Sequence, residues 1–329
     1  MMILIRAALT GMILLAAGSC GGNSGGSSDS PGSSKPISSV EQIAREHDNH
    51  FVGVCFTGPK HGVAVGTGGI VIETVDGGDT WTPRESGTTN QLAGIDFADA
   101  NVGVAVGSAG TIIRTQDGGV TWAPVESKTD NLLWDIDFAD DRTAMVVGVT
   151  GLVLRTIDGG KNWSEKYSGT EDALLGVTLV DPETGTAVGS HGTIIRTTNG
   201  GSSWEPRRSG VDNQLIDVAF ATPEVGIVVG HAGVILRTVD GGTTWAQRQS
   251  GVFEFLFSVA FADKSTGVIV GTGGTILRTT DGGETWTSLE TGTDATLRDV
   301  VFTADGTMVI VGDNGTILSS DGNVIKSDR

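Results

Sequence analysis

The octapeptide TVDGGDTW at residues 74–81 places a carboxylate, two glycines and hydroxyls in one short loop. Nearly the same string returns as TQDGGVTW (115–122), TIDGGKNW (156–163), TTNGGSSW (197–204), TVDGGTTW (238–245) and TTDGGETW (279–286). Three chemistries fit such a loop: an oxygen-ligand metal site, a catalytic carboxylate, or a turn whose acid accepts hydrogen bonds from its own backbone. Asp76, Asp117, Asp158, Asp240 and Asp281 keep the acid, whereas Asn199 replaces it. An amide retains an acceptor oxygen and loses the charge, which a metal ligand or catalytic acid would not readily tolerate. A site is normally made once, while a feature present in every copy serves something that every copy needs. The boxes are therefore read as structural clips, with glycines supplying left-handed backbone angles and Trp81, Trp122, Trp163, Trp204, Trp245 and Trp286 burying apolar area between sheets. By the same reasoning Arg114, Arg155, Arg196, Arg237 and Arg278, each three residues ahead of its box acid, are expected to clamp a neighbouring carbonyl or carboxylate.

The elements that carry these loops follow from the spacing. The box acids recur every 41 residues, and a degenerate seventh copy, SSDGNVIK, places Asp321 at an interval of 40. Each copy reads as four short β-type runs, such as AGIDF, GVAVG, TIIRT and TWAPV within residues 92–127. Four strands at this period are the signature of a propeller blade. One four-stranded sheet cannot cover both of its faces, so blades stack, and a closed ring leaves no flat edge exposed. The expected fold is an all-β, seven-bladed β-propeller over residues 37–329, monomeric, with four-stranded blades and the Asp-box turns between strands 3 and 4. Blades are expected at about 51–91, 92–132, 133–173, 174–214, 215–255, 256–296 and 297–329. In the last copy Lys326 takes the place of the Trp, and counting back one period from Trp81 lands on Val40. An N-terminal segment at about 37–44 is therefore expected to supply the outer strand of blade 7; the rival is NVIKS at 323–327.

Subtracting what all blades share leaves residues that only one or two carry. Blade boundary 5/6 reads SGVFEFLFS where other copies read SGTTNQLAG or SGVDNQLID, so Phe253 and Phe255 replace polar loop residues. Exposed, they form a protein-binding hot spot; the alternative is a locally buried staple. Trp134 is the one tryptophan of the 7 outside the box column. His191 and His231 lie in VGxxG loops of adjacent blades, but two imidazoles without a third ligand are weak support for a metal, and no metal or other cofactor is expected. Asp135, Asp217 and Asp299 share a repeat position filled elsewhere by Gly or Ser, and Arg298 adjoins the last; they are expected to line a solvated polar channel near the axis. The candidate partner-binding residues are thus Phe253, Phe255, Trp134, Arg298, His191 and His231, on the face opposite the boxes.

With a formal net charge of -18 over 329 residues, the chain repels phosphate backbones and nucleic acid is excluded as a partner. Residues 1–19 carry Arg6 and an apolar run from Ala7 to Ala17, the pattern of an export signal. The stretch AAGSC resembles a bacterial lipobox, which implies cleavage before Cys20 and acylation of that residue as a membrane anchor; plain secretion is the alternative. Residues 20–36 then comprise the lipidated Cys20 and a Gly/Ser tether, GGNSGGSSDSPGSSKP. Cys55 is the other cysteine of the 2, so the mature chain forms no structural disulfide between two cysteines of the domain. No later run is apolar and long enough to span a membrane. The expected location is outside the cytoplasm, on a lipid anchor facing the periplasm, lumen or cell surface.

The pattern [ST]-x-[DN]-x-G-x-[ST]-W resembles the Asp-box, or BNR repeat, of sialidase-like propellers. Those sialidases imply an arginine triad, an acid Asp and a Tyr nucleophile activated by Glu. This chain has a single tyrosine, Tyr167, on an outer strand, and no R-I-P motif. Paired carboxylates of unusual context, a Ser/His/Asp arrangement and a phosphate loop are also missing, so catalysis is not expected. A closer resemblance is to the photosystem II stability and assembly factor family of chloroplasts and cyanobacteria. It is carried by GTIIRTxDGGxTW, the preceding GVAVG, and one propeller behind a lipoprotein-type signal. The resemblance implies an exported, membrane-associated, non-catalytic scaffold that binds a newly made reaction-centre subunit through an arginine-rich patch. Here EPRRS (205–209), Arg84 and Arg248 give a basic stripe on outer strands. The alternative is a glycan-binding or glycoside-hydrolysing propeller.

Overall fold

The computed structural model describes residues 50–320 and the strand Ile325–Ser327. The signal, Cys20, the tether, the segment 37–44 and Asp321 lie outside the described residues. Seven antiparallel four-stranded sheets follow one another along the chain. Their inner strands are Phe51–Phe56, Leu92–Phe97, Leu133–Phe138, Leu174–Leu179, Leu215–Phe220, Leu256–Phe261 and Leu297–Phe302. Blade 2 shows the plan: Leu92–Phe97 pairs with Gly103–Gly107, then Ile112–Thr115, then Ala123–Pro124 at the rim. The fold is the all-β, seven-bladed propeller that the repeat implies.

The first two strands of each blade are apolar on both faces because both faces are covered. In blade 1, Val63 and Val65 pack towards blade 2 with Leu92, Ile95 and Phe97, while Ala64, between them, packs towards blade 7 with Val301, Val309 and Val311. Alternate residues of one strand thus serve two different neighbours. The same pairing of adjacent blades builds each core cluster around the ring. Each described box Trp enters the interface with the preceding blade: Trp286 packs with Ile227 and Val229, and Trp81 with Val309 and Val311. The indole N–H groups of Trp81 and Trp122 donate to the carbonyls of Gly78 and Gly119, at 3.1 and 2.9 Å.

The box turns use up their own polar groups. Asp76 Oδ1 accepts from the Thr80 amide at 2.8 Å and from Thr74 Oγ1 at 2.9 Å, and Oδ2 accepts from Thr80 Oγ1 at 2.6 Å. Thr74 Oγ1 in turn accepts from the Gly78 amide at 2.9 Å. Gly77 and Gly78 take φ values of 90 and 97°, closed to residues with a Cβ. Asp117, Asp240 and Asp281 repeat this network, and at Asp158 the closing donor is Asn162. Asn199 Oδ1 accepts from the Ser203 amide at 3.0 Å, while its Nδ2 donates to Ser203 Oγ at 2.9 Å, reversing one bond and keeping the turn. Partial burial raises the Asp281 carboxyl, but hydrogen bonds from Thr285 and Thr279 outweigh it and lower its pKa from 3.8 to about 2.

The arginines three residues upstream are clamps between blades. Arg114, Arg196 and Arg237 donate from Nε to the carbonyls of Gly159, Gly241 and Gly282 in the next blade's box, at 2.6, 2.7 and 2.9 Å. Arg155 reaches the Pro182 carbonyl at 3.1 Å instead. Blade 1 has Glu73 at this position, and there His61, Glu73 and Arg84 form a local ion-pair cluster, with His61 Nε2 3.1 Å from Glu73 and its ring edge-on to Phe97 of blade 2.

Buried carboxylates add a second set of ties. Asp96 accepts from the Phe138 amide, Asp135 from Val177, Asp137 from Leu179, Asp217 from Val259 and Asp299 from Val54, all at 2.6 to 2.9 Å and all on the next inner strand. As expected, Asp135, Asp217 and Asp299 do border a cavity on the axis, but they are buried rather than solvated, and each carboxylate is held by the neighbouring blade's backbone. The bond from Val54 to Asp299 joins the last blade to the first, alongside the Val301, Val309 and Val311 cluster on Phe51 and Phe56. The outer strand of blade 7 is Ile325–Ser327, paired with Ile317–Ser320. This is the strand of the rival reading, within NVIKS; the segment 37–44 lies outside the described residues.

Two outcomes follow for stability. Asp299→Ala strips a buried acceptor from the amides of Val54 and Val300 and the hydroxyl of Ser258. It is expected to cost about 3 kcal/mol, read as a lower urea midpoint with an unchanged m-value. Asp281 contributes stability above its unfolded pKa, and that contribution is lost as pH falls from about 4 through about 2. Urea midpoints should therefore drop less steeply over this window in Asp281→Asn, which keeps the turn as Asn199 does, than in the parent; parallel curves would show that the box carboxylate carries no acid-linked stability.

Candidate functional site

A β-bulge near the start of every inner strand builds the channel. In each blade one extra residue separates the first paired position from the next: Leu133 faces Gly148 and Asp135 faces Val147, leaving Trp134 unpaired between them. The same irregularity falls at Val52, Ala93, Leu175, Ile216, Phe257 and Arg298. A bulge re-aims its side chain, and here these positions line one cavity of about 260 Å³ on the ring axis. The ring they form is largely apolar. Gln214 and His231 border the same cavity. Both belong to the loops opposite the boxes, the crossovers between blades and the turns between strands 2 and 3, so the cavity lies at that end of the axis.

Arg298 is the cation of this ring, and its charge is engaged. Its Nε and Nη2 donate to Asp313 Oδ1 and Oδ2 at 2.8 and 3.0 Å, and its guanidinium lies 4.9 Å from the Phe257 ring centroid. His50 Nδ1 sits 3.2 Å from Asp313 Oδ1, so this cluster also spans the junction of blades 7 and 1. Trp134, by contrast, has its indole N–H buried without a hydrogen-bond partner among the described residues.

At the rim, Phe255 stacks on His231 with ring centroids 4.1 Å apart, and burial lowers the His231 pKa. Phe253 is 88 % exposed and Phe255 42 %, so neither is a buried staple. Their loop is anchored by its backbone: the Gly233 amide donates to the Glu254 carbonyl at 2.8 Å and the Phe255 amide to Thr272 Oγ1 at 3.2 Å. The aromatic side chains are therefore presented outward from a fixed turn.

Of the residues singled out in the sequence, Trp134, Arg298 and His231 meet in the channel cavity and Phe255 and Phe253 extend from its rim. His191 is placed apart. It occupies the left-handed position of its turn (φ 54°) and pairs with Asp172 at 2.9 Å, bordering a separate hollow with Trp204 and Arg207. His191 and His231 share no partner, and no group of three or more metal-ligating side chains occurs among the described residues. The anticipated basic stripe is largely internally paired: Arg84 with Glu73, Arg207 with Glu205 and Arg248 with Glu284, at 2.6, 2.6 and 3.2 Å, leaving Arg208 exposed. Tyr167 is 86 % exposed on an outer-strand end, far from the buried, polar setting an activated nucleophile needs.

Leu175, Ile216, Phe257 and Val52 were not singled out from sequence. Their common interval from Trp134, one period at a time, marks them as a single variable column. The Thr57–His61–Glu73 relay was also missed; Thr57 Oγ1 lies 2.5 Å from His61 Nδ1, but the hydroxyl-bearing side chain is 5 % exposed and belongs to the blade interior.

Fold and site together define a single seven-bladed Asp-box propeller whose individual features gather at one end of its axis. A solved structure described as YCF48 bound to D1 peptide is 22% identical, with a TM-score of 0.69 and coverage of 83% of this chain and 91% of that one. YCF48 from Cyanidioschyzon merolae is 21% identical, with a TM-score of 0.69 over 83% of this chain and 95% of that one. The WD40 β-propeller domain of Doa1 reaches the same TM-score, 0.69, at 13% identity over 84% and 94%. Backbone likeness at these identities establishes the fold alone. Sequence goes further: the family model for photosynthesis system II assembly factor YCF48 matches residues 33–122, 85–165, 209–290 and 249–323, well over half of the chain, and the chain belongs to that family. No curated protein matches it.

Proposed function

We propose that the chain is an exported, lipid-anchored, non-catalytic scaffold that binds a segment of a membrane-protein subunit during photosystem assembly. The family match over most of the propeller carries this reading. A structural neighbour bound to a D1 peptide supports a peptide partner of that kind. The channel mouth and the outward phenyl pair supply a surface suited to it: aromatic side chains on a fixed turn bind with little ordering cost. Self-satisfied box carboxylates and an exposed tyrosine favour a scaffold over a hydrolase. The anchor rests on AAGSC behind the apolar run, with Cys20 as the acylated residue. Two acyl signals give stable membrane attachment where one does not.

The test is capture. A tagged chain is purified from detergent-solubilised membranes, and D1 peptide binding is measured by calorimetry. The parent is expected to bind the peptide and fractionate with membranes, Cys20→Ser to move to the soluble fraction, and Phe253→Ala with Phe255→Ala to lose binding at least tenfold without loss of stability. Absence of peptide binding together with release of sugar from a fluorogenic glycoside would overturn the assignment. Equal binding by the double variant would remove the phenyl pair from the site.

A further inference from the structure

The channel mouth has a chemistry more specific than a general protein-binding surface. Its apolar walls are Val52, Trp134, Leu175, Ile216 and Phe257; the already hydrogen-bonded Asp135, Asp217 and Asp299 also border it. At about 260 Å³ the cavity falls just below the range of roughly 300–1,000 Å³ that engulfs a whole drug-sized ligand. It suits one bulky side chain of a larger partner.

The crossover loops on the same face of the ring carry the opposite kind of group. Asp130, Glu171, Asp212, Glu254 and Asp294 all lie on crossover loops between blades and are exposed. Asp130, Glu171, Asp212 and Asp294 make no hydrogen bond or ion pair among the described residues, unlike the box acids of the other face. Against them stand Lys128 and Arg208 on the same loops, and the charge of Arg298 is already met by Asp313. An apolar well inside a ring of uncommitted carboxylates complements an apolar residue flanked by cations. Opposite charge at a rim steers encounter and rejects like-charged partners, while the buried apolar contact holds the complex.

We infer that the channel mouth binds an extended peptide segment in which a bulky aromatic or branched aliphatic residue, inserted between Trp134, Ile216 and Phe257, is flanked by Lys or Arg paired with the crossover-loop carboxylates. The inference rests on the scaffold reading and names the partner chemistry of the same site.

The probe is a short fluorescein-labelled peptide with one Trp between lysines, compared by anisotropy with peptides in which Trp becomes Ser or the lysines become Glu. The purified chain is expected to bind the Lys/Trp peptide at least tenfold more tightly than either control, with affinity falling as salt rises. Ile216→Trp, which fills the cavity, and the exposed pair Asp212→Lys with Asp294→Lys are each expected to weaken it about tenfold. The charge reversals touch no packed residue, so they report even where Ile216→Trp fails to fold. Equal binding of the Glu-flanked peptide, or insensitivity to the charge reversal, overturns the inference. D1 peptide binding that persists in both variants discards this partner chemistry and leaves the scaffold role standing; Lys/Trp peptide binding without D1 peptide binding does the reverse.

Discussion

Everything in this molecule depends on covering both faces of four-stranded sheets on which, among the described residues, no α-helix lies. A lone blade would expose strands such as GVAVG and GVIVG, apolar on both sides, so no blade is stable except between two others. The apolar contact between neighbours supplies the driving force, but such surfaces slide. The buried aspartates answer that freedom. Each carboxylate is costly to desolvate, and each meets a backbone amide one blade on, at a fixed offset of 42 residues. A longer or shorter wedge between blades would break these bonds while leaving the apolar contact nearly unchanged. The bond from Val54 to Asp299 applies the same device across the seam, where chain connectivity cannot help.

The two ends of the ring divide labour in a way that follows from local hydrogen bonding. On one end the box acid, its flanking hydroxyls and the arginine of the preceding blade satisfy one another, so the turns are finished objects with little left to offer a ligand. On the other end the crossovers need only pass from rim to axis. Gly110 shows how tight that passage is: at φ 64°, a Cβ there would lie 1.7 Å from the Thr129 carbonyl oxygen. Once this backbone is held, the side chains at positions such as Asp130, Asp212 and Phe253 are free of structural duty, and variation concentrates there. Rigidity of the ring then lowers the cost of presenting them.

Much of this was legible in sequence because repetition separates what every blade needs from what one blade has. The period, the four strands and the boxes are shared, the arginines recur in five blades, and Asn199 alone argues that the box charge is dispensable. The phenyl pair emerged by subtraction. The axis was harder to read, for a physical reason: a bulge at each inner strand shifts the side-chain phase by one residue. Their shared repeat position points to Asp135, Asp217 and Asp299 as channel lining. The bulge adds Trp134, Ile216 and Arg298 to that lining, while the acids beside them tie the blades together. The outer strand of blade 7 was ambiguous because SSDGNVIK retains the acid but not the Trp that marks the strand elsewhere.

Arg298 shows how closure and recognition constrain each other. An arginine on the axis of an Asp-box propeller invites comparison with carboxylate-binding sites, yet its fork is filled by Asp313 and its face by Phe257. Asp313 also meets His50, which enters blade 1, so the arginine stands at the seam between the last and first blades. Releasing it to bind an anion would cost the bidentate pair and loosen that seam. The cation is therefore spent on structure, and the electrostatic character of the mouth passes to the loop carboxylates around it. A seam residue that cannot change without loosening the ring leaves the bulge column and the crossovers as the places where specificity is free to vary.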